Sequence, residues 1–298
     1  MYHNPILLKE CIDNLVKNPS GIYIDLTYGG GGHARAILER LNNYGRIIAF
    51  DLDEDALANK IDDPRIVFVN QNYRYLWNYL RFYDAIPVDG VLADLGISSH
   101  QIDDGSRGFS IRNEGFLDMR MDNRSGITAK DVVNKYPEEK LTKMFRDYGE
   151  IDKAYQLSNA IIKQRSIKPI ETTSELKEVV EKVAPRNKEY KFVSQVFQAI
   201  RIEVNKELES LEEMLIQLST VVKPGGVIAI ISYHSLEDRL VKNLFKTGNI
   251  EGEERKDFYG QKLTPFKPLT RKPILPSDVE LQNNGRSRSA KLRIAERI

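Results

Sequence analysis

The stretch Tyr23-Ile-Asp-Leu-Thr-Tyr-Gly-Gly-Gly-Gly-His33 runs from a short apolar segment through four consecutive glycines into a helical pattern. Glycines at such a turn let the backbone approach a ligand without Cβ clashes, and the helix that follows points its first N–H groups at that ligand. A strand, a glycine turn and a helix in this order open the wound α/β folds that bind nucleotides. We therefore expect an α/β fold of this kind.

The sequence on both sides of this unit continues the same pattern. From Gly21 to Gly96, short apolar runs alternate with amphipathic stretches, which is typical of a parallel sheet with crossover helices. The predicted strands are Ile22–Leu26, Ile47–Phe50, Ile66–Val69, Gly90–Leu95 and, much later, the buried Val227–Ser232. The predicted helices are His33–Leu41 and Asp55–Ile61, the second with an acidic start at Asp53 or Glu54.

A helical insertion is predicted after about Gly105, where the strand signals stop. One long amphipathic helix should then return the chain to the sheet, and Lys223-Pro-Gly-Gly226 should form a turn. We divide the chain into a first part of the sheet domain (1–106), a helical insertion (107–199), and a second part of the sheet domain (200–298) with a basic C-terminal segment. The insertion helices are Lys130–Lys135, Pro137–Asp147, Lys153–Arg165 and Ser174–Val183, and the long helix has Val196, Ile200, Val204, Leu208, Leu211, Leu215 and Leu218 on one stripe.

Composition excludes several classes of protein. The single cysteine, Cys11, rules out an intramolecular disulfide and a thiol cluster for zinc, and the four histidines are scattered, so we predict no metal site. No signal peptide and no apolar run of membrane-spanning length is apparent, which favours a soluble, cytoplasmic protein. Because the formal net charge is only +1, any attraction to nucleic acid must come from local basic patches.

Two acids favour a nucleoside cofactor with a positive charge. Asp51 closes the second strand about 20 residues beyond the glycine turn, where a carboxylate can accept both ribose hydroxyls. Gly29, Gly31 and Ala34 also fit the G-x-G-x-x-A pattern of nicotinamide-binding folds, so an oxidoreductase is the rival interpretation. Asp25 separates the two, because a carboxylate repels a pyrophosphate but attracts the ammonium and sulfonium of S-adenosylmethionine. As an alternative, Asp25 is a surface or capping residue.

Two further residues are candidates for the same crevice. Tyr73 follows the third strand and could place its ring against adenine, although an ordinary half-buried tyrosine explains it equally well. Asp94 closes the strand of Asp89–Ser99 and should stand between cofactor and substrate. It could hold the methionyl ammonium, accept an N–H of a target amine, or simply cap the strand end.

The single cysteine also indicates which kind of atom would accept a methyl group from such a cofactor. Methylation of a cytosine carbon needs a cysteine thiolate that attacks the ring, and Cys11 lies outside every motif, so nitrogen or oxygen is the expected acceptor. The segment Ser232-Tyr-His-Ser-Leu-Glu-Asp-Arg239 follows the last buried strand and should line the crevice. Tyr233 could stack on an extruded base, and His234 is either a proton relay or a structural residue.

In these stretches the chain resembles the bacterial ribosomal RNA small-subunit methyltransferase H family, which makes N4-methylcytidine in 16S rRNA. The resemblance spans nearly the whole chain, with mild departures at Asn4, His100 and Tyr73. The matching stretches are His3-x-Pro-Ile-Leu-Leu-x-Glu10, Asp25-x-Thr-Tyr-Gly-x-Gly-Gly-His33, Asp94-Leu-Gly-Ile-Ser-Ser-x-Gln-x-Asp103, Arg107-Gly-Phe-Ser110, Leu117-Asp-Met-Arg-Met-Asp122, Ser232-x-His-Ser-Leu-Glu-Asp-Arg239 and Arg286-Ser-Arg-Ser289.

The resemblance implies a class I (Rossmann-like) S-adenosylmethionine methyltransferase with an inserted helical domain that helps to hold RNA. It implies as substrate a cytidine of the decoding region of 16S rRNA in an assembled small subunit. The cofactor-binding residues that it implies here are Gly31, Gly32, His33, Asp51, Tyr73, Asp94 and Gln101, and our candidates for catalysis are Asp94, Ser98 and His234.

Basic residues near the C-terminus are the candidates for RNA contacts. Residues 255–272 combine six basic side chains with Phe258, Tyr259 and Phe266, which suits phosphate contacts and base stacking, unless the segment is only a solvated tail. The insertion carries Arg165, Lys168, Arg186 and Lys188 among acids. We predict RNA binding by Arg286, Arg288 and Lys291.

Two other functions stay open at this stage. A nicotinamide oxidoreductase would bind NAD rather than S-adenosylmethionine. A non-catalytic RNA-binding assembly factor would tolerate Asp94→Ala without loss of the modification.

Overall fold

Seven strands form one sheet in the part of the chain that the computed structural model describes, residues 5–124 and 126–298. The strand order is β3-β2-β1-β4-β5-β7-β6, with β1 to β5 parallel and both β5–β7 and β7–β6 antiparallel. The five predicted strands and the α/β fold class are confirmed. The strands are β1 (Ile22–Asp25), β2 (Arg46–Phe50), β3 (Ile66–Val69), β4 (Val88–Asp94), β5 (Val222–Ser232), β6 (Phe266–Pro268) and β7 (Lys291–Arg297).

Helices cover both faces of this sheet, because alternate residues of each strand face opposite sides. On β1, Tyr23 packs in the core with α1 and α2, whereas Ile24 packs in the core with α3, α10 and α11. The α-helices are α1 (Leu8–Leu15), α2 (Gly32–Leu38), α3 (Leu76–Phe82), α4 (Ser99–Asp103), α5 (Ala129–Lys135), α6 (Glu138–Gly149), α7 (Ala154–Ile167), α8 (Thr173–Glu181), α9 (Glu189–Asn205), α10 (Glu207–Val221), α11 (Ser235–Thr247) and α12 (Asp278–Asn283). Short 3-10 turns are Glu54–Asn59, Tyr73–Tyr75, Gly105–Arg107 and Gly285–Ser289.

The chain divides into two units whose boundaries differ from those predicted. The first unit contains the described residues up to Gly96 together with Leu208–Ile298, and the second is Ile97–Glu207, with a core of its own. The predicted insertion began only at residue 107 and ended at 199. The stretch from Ile97 to Arg107 belongs to the second unit because Ile97 packs on that unit's core and Arg107 donates to the Arg120 carbonyl at 3.0 Å.

The single long helix predicted through Val196 and Leu218 is wrong, because it is broken into α9 and α10. Lys206 has a left-handed backbone with φ of +52°, which ends α9. The side chain of Asn205 donates to the Met119 carbonyl at 2.7 Å, and this contact within the second unit fixes the end of the helix. The predicted apolar stripe is therefore divided between two cores. Its residues on α9 pack in the core of the second unit, whereas α10 packs in the core of the first unit.

Two further predictions of local structure need correction. Asp55–Ile61 is not an α-helix but the 3-10 turn Glu54–Asn59, although Asp53 caps it as expected. Lys223–Gly226 lies inside β5 as an irregularity in its pairing with β4, and Gly225 there has a φ of +79°.

Two strands of the C-terminal segment, β6 and β7, belong to the sheet and its core, whereas residues 255–263 are largely exposed. β7 buries Leu292 and Ile294 between charged neighbours, and these charges concealed the strand in the sequence. Phe266 is also buried, which rules out the base stacking considered for it. Within residues 5–124 and 126–298, none of the helices has the length and apolar character that crossing a membrane requires.

Candidate active site

The strand order creates a switch point at β1, which lies between β2 and β4. In open α/β sheets, ligands bind beyond the carboxyl ends of the strands at such a point. The predicted residues of the first unit converge there, because Asp25 ends β1, Asp51 follows β2, Asp94 ends β4, and the glycine turn leads out of β1 into α2.

The glycine turn has no space for side chains at two of its positions. Gly29 and Gly31 have φ values of +50° and +74°, a backbone region that favours glycine. A Cβ on Gly31 would lie 2.6 Å from the Tyr28 hydroxyl oxygen, and one on Gly32 would collide with Pro5. Beside Gly29 the space is open. Packing within the protein therefore requires glycine at positions 31 and 32, and open space next to the backbone is found at Gly29.

Asp51 forms a hydrogen bond with this turn and can still accept hydrogen bonds from a ligand. Its Oδ2 accepts the Gly29 N–H at 2.7 Å and its Oδ1 accepts the Asp53 N–H at 2.9 Å. A carboxylate oxygen has two lone pairs, so each can accept one more hydrogen bond. Burial raises the pKa of Asp51 to about 6, against the effect of these two hydrogen bonds. The arrangement suits the paired hydroxyls of a ribose.

Asp25 is fully buried and incompletely satisfied. Its Oδ1 accepts the Thr27 N–H at 3.1 Å, but its Oδ2 has no hydrogen-bond partner among the described residues. Burial is the main cause that raises its pKa to about 7, and the neighbouring charges of Asp94 and Asp51 add to it. The ionised form of such a buried acid is stabilised by a cationic ligand group and repels a pyrophosphate. The site therefore fits S-adenosylmethionine better than NAD.

Asp94 is held in a defined orientation at the end of β4. Its Oδ1 accepts the Tyr233 hydroxyl at 2.6 Å, and its own N–H donates to Thr27 Oγ1 at 2.6 Å. Its side chain is 23% exposed. Burial raises its pKa to about 7, although the Tyr233 hydrogen bond acts in the opposite direction. Asp94 can therefore gain or lose a proton near neutral pH.

His33 is a buried, neutral imidazole next to Asp94. Burial lowers its pKa to about 4, so the ring is uncharged at neutral pH. Its Nε2 is 3.1 Å from the Ile6 carbonyl oxygen, which identifies Nε2 as the protonated nitrogen. Its Nδ1 is 4.0 Å from Asp94 Oδ2. The ring thus joins the N-terminal segment to the crevice.

His234 occupies the N-cap of α11. Its Nδ1 accepts the Glu237 N–H at 3.4 Å, and Glu237 Oε2 accepts the His234 N–H at 3.3 Å. Its Nε2 is 3.2 Å from Glu237 Oε1. These contacts give His234 a helix-capping function, and its role in catalysis stays a prediction.

Three further candidates, Ser98, Gln101 and Tyr73, lie outside the group of residues described above. In the second unit, Ser98 is the N-cap of α4, and its N–H and side chain form a capping box with Gln101. In the first unit, Tyr73 is half-buried in the 3-10 turn after β3 and packs against that unit's core. The functions predicted for Ser98, Gln101 and Tyr73 stay predictions.

Comparisons with known proteins identify the family of this chain. The model of the MraW methylase family matches residues 1–298. The chain belongs to this family. Proteins named ribosomal RNA small subunit methyltransferase H are similar to it, one from Bacteroides fragilis (52% identity over 99% of this chain and 97% of that protein) and one from Amoebophilus asiaticus (53%, 99% and 96%). A solved rRNA methylase from Streptococcus thermophilus aligns with a TM-score of 0.40 at 12% identity, covering 98% of this chain and 92% of that one.

Three predictions are thereby confirmed: the family, enzymatic methyl transfer, and S-adenosylmethionine as the cofactor. The predicted class I (Rossmann-like) fold is confirmed by the strand order and by the antiparallel β7. The nicotinamide interpretation of the glycine turn is set aside, as the orphaned oxygen of Asp25 independently indicates.

Sequence reasoning missed the roles of Thr27 and Glu280 and expected a different role for Tyr233. Thr27 anchors the backbone of Asp94, and Tyr233 holds its carboxylate, whereas we expected Tyr233 to stack on a base. Glu280, on α12, accepts the Leu7 N–H at 2.8 Å and so ties the C-terminal segment to the N-terminal one. No sequence signal indicates a contact across 273 positions.

Asp51→Ala is expected to weaken S-adenosylmethionine binding by about 1–3 kcal/mol, because hydroxyl groups of the ligand would lose their acceptor. Calorimetric titration of the purified variant measures this change. Asp62→Ala, which removes an exposed carboxylate of the same unit, is the control. An unchanged dissociation constant for the Asp51 variant would exclude the ribose contact.

Proposed function

We propose that this chain transfers the methyl group of S-adenosylmethionine to the N4 exocyclic amine of a specific cytidine in the decoding region of 16S rRNA, within the small ribosomal subunit. The observation that carries the proposal is the fixed Asp94 carboxylate at the end of β4, on the same edge of the sheet as the buried Asp25, whose Oδ2 has no hydrogen-bond partner among the described residues. The rRNA substrate is supported by the names of relatives that align over nearly their full length.

A nitrogen acceptor is favoured by the state of the single cysteine. Cys11 is fully buried in α1, and burial raises its pKa well above the usual value. Ring attack needs an accessible thiolate, which this residue does not supply. An exocyclic amine requires only an acceptor for its N–H, which Asp94 offers.

The residues at this end of the sheet have different roles in the proposed methyl transfer. When bound, S-adenosylmethionine supplies a methyl group on a sulfonium, which is a strong leaving group. Asp25 and Asp51 bind its cationic and sugar parts, and the glycine turn admits it to the crevice. Asp94 accepts an N–H of the target amine through Oδ2, while Tyr233 keeps Oδ1 in place. Asp94 would take up the proton that the target nitrogen loses in exchange for the methyl group, since its pKa of about 7 suits a proton acceptor at neutral pH.

The predicted RNA contacts are tied to this crevice by two hydrogen bonds. His33 bonds the carbonyl of Ile6, and the next residue, Leu7, donates to Glu280 of α12. The 3-10 turn with Arg286 and Arg288 follows α12 directly. Arg288 is exposed, whereas the Lys291 ammonium lies 3.6 Å from Asp238 and is partly neutralised.

The second unit is proposed to help hold the RNA. Of its four basic residues considered above, two are occupied within the unit. Arg165 donates to the Val133 carbonyl at 2.9 Å, and Lys168 hydrogen-bonds Glu175. Arg186 and Lys188 are exposed and are the better candidates for phosphate contacts.

Methyl transfer from labelled S-adenosylmethionine to small subunits that lack the modification tests this function. After nuclease digestion, the label should appear in N4-methylated cytidine. Label in another nucleoside, or none in the subunits, would refute the proposed acceptor.

Arg288→Ala is expected to raise the KM for small subunits and to lower the slope of log affinity against log salt by about one, since one phosphate contact is lost. Filter binding at several salt concentrations measures the slope. Lys60→Ala removes an exposed cation before β3 and serves as the control. Equal slopes for Arg288→Ala and the wild type would remove Arg288 from the RNA surface.

A further inference from the structure

An exposed hairpin, residues 255–263, connects α11 to β6. The Leu263 N–H donates to the Arg255 carbonyl at 2.8 Å, and the Asp257 N–H donates to the Gln261 carbonyl at 2.9 Å. The arms also form an antiparallel bridge between the two lysines at positions 256 and 262. These contacts give the hairpin a regular structure of its own.

The tip of this hairpin is pre-organised by one carboxylate. Asp257 Oδ1 accepts the Tyr259 N–H at 2.9 Å and the Gln261 N–H at 2.8 Å. Gly260 has a φ of +80° and donates its N–H to the Asp257 carbonyl at 3.1 Å. A tip that is already ordered loses little conformational freedom when it binds.

Two aromatic rings stand at this tip in full contact with solvent. Phe258 is 98% exposed and Tyr259 is 86% exposed. Their rings meet edge to face, with centroids 5.7 Å apart and planes at 88°. This arrangement leaves flat ring faces open for a planar partner, and two adjacent exposed aromatics are typical of a binding surface.

The charge around the tip suits a polyanion. Residues 255–272 contain six basic residues and a single acid, Asp257, whose side chain serves the tip itself. Glu254 forms ion pairs with Lys256 and Lys262 and so neutralises part of this charge. The remaining basic residues, Arg255, Lys267, Arg271 and Lys272, are exposed.

The hairpin joins the sheet near the amino ends of the parallel strands, whereas the candidate active site lies at their carboxyl ends. It leads into β6, which begins beside Arg297 at the end of β7, whereas Lys291 at the start of β7 pairs with Ser232 at the carboxyl end of β5. The paired stretch of β5, from Val227 to Ser232, spans about 17 Å at 3.3 Å per residue. The root of the hairpin and Asp94 therefore face different parts of a large substrate.

We propose that Phe258 and Tyr259 form a second RNA contact, on which unpaired bases of the substrate stack away from the methylated nucleotide. This inference rests on the proposed function, since it takes rRNA as the substrate. Base stacking on the rings supplies affinity without sequence preference, and the exposed cations bind the adjoining phosphates. A contact remote from the reacting atoms contributes to binding and not to the chemical step.

The double variant Phe258→Ala/Tyr259→Ala tests this contact. We expect the KM for unmodified small subunits to rise about tenfold, at the lower end of what stacking contributes per base, while kcat and cofactor affinity stay unchanged. The matched control is Tyr44→Ala/Phe82→Ala, which removes two other exposed aromatics of the same unit (85% and 77%). An equal KM for the hairpin variant and the wild type overturns the inference, whereas a wild type that does not methylate subunits refutes the proposed function instead.

Two more variants distinguish RNA from a ribosomal protein as the partner. Phe258→Trp should keep the wild-type KM, and its added fluorescence should be quenched when protein-free 16S rRNA binds. Phe258→Leu/Tyr259→Leu should behave like the alanine pair, because leucine cannot stack on a base. Wild-type KM for the leucine pair, or unquenched tryptophan in the rRNA complex, would indicate an apolar protein pocket and overturn the RNA contact.

Discussion

Asp94→Asn is expected to lower kcat for methylation by about 10²–10³-fold, the range for losing one group that stabilises the developing charge of a transition state. Asparagine keeps the shape of the side chain and an oxygen that can accept the Tyr233 hydroxyl. At the other oxygen it places an amide that donates hydrogen bonds, so the target amine loses the acceptor of its N–H. Single-turnover methylation with saturating cofactor and substrate measures this loss.

The structure supplies two controls for this experiment. Asp62→Asn changes an exposed acid of the same unit and should leave kcat unchanged. Tyr233→Phe removes the hydrogen bond that lowers the pKa of Asp94, so the pH at which activity appears should move upward. If Asp94→Asn binds cofactor and RNA normally and also retains wild-type kcat, the carboxylate takes no part in methyl transfer.

Much of the first unit could be predicted because its strands are apolar and are bounded by glycine or acidic residues. The run that ends at Phe50 and the run that ends at Asp94 each indicated a buried parallel strand followed by a polar residue at the ligand edge. Because the carboxyl ends of parallel strands lie at the same end of a sheet, the sequence could place Asp25, Asp51 and the glycine turn in one site. Local periodicity was sufficient for this part of the site.

Other features depend on contacts between residues far apart in sequence. Charged residues conceal β7, which is recognisable as a strand only from its pairing with β5. The break at Lys206 follows from the Asn205 contact with a loop 86 positions away. Likewise, the hydroxyl of Tyr233 meets Asp94 across 139 positions. Composition and spacing carry no information about such pairs, so the orientation of Asp94 required the structure.

Asp25→Asn is expected to have opposite effects on stability and on cofactor binding. Asp25 has a pKa of about 7 in the folded protein, above its ordinary value of 3.8. A raised folded-state pKa contributes stability below pH 4 that is lost as the pH rises through 7. A shift of this size corresponds to about 4 kcal/mol at pH 8. Asparagine cannot ionise, so the variant without cofactor should lose less stability than the wild type between pH 5 and pH 8.

Cofactor affinity should change in the other direction. Between pH 5 and pH 8 the wild type should bind S-adenosylmethionine more tightly as Asp25 ionises, because a cationic ligand stabilises the carboxylate. In Asp25→Asn this contribution to the pH dependence should disappear, and binding at pH 8 should be about 10–100-fold weaker, as for a lost charge-assisted hydrogen bond. Thermal unfolding without ligand and calorimetric titration at both pH values measure the two effects.

Comparing two pH values removes the constant cost of burying the new amide, which is the same at pH 5 and pH 8. Glu54→Gln, an exposed acid of the 3-10 turn after β2, should leave both pH dependences unchanged. If Asp25→Asn keeps the wild-type pH dependence of cofactor affinity, the orphaned oxygen of Asp25 does not face the cationic part of the ligand. If the predicted pattern is found, this acid reduces the stability of the empty protein and stabilises its complex with the cofactor.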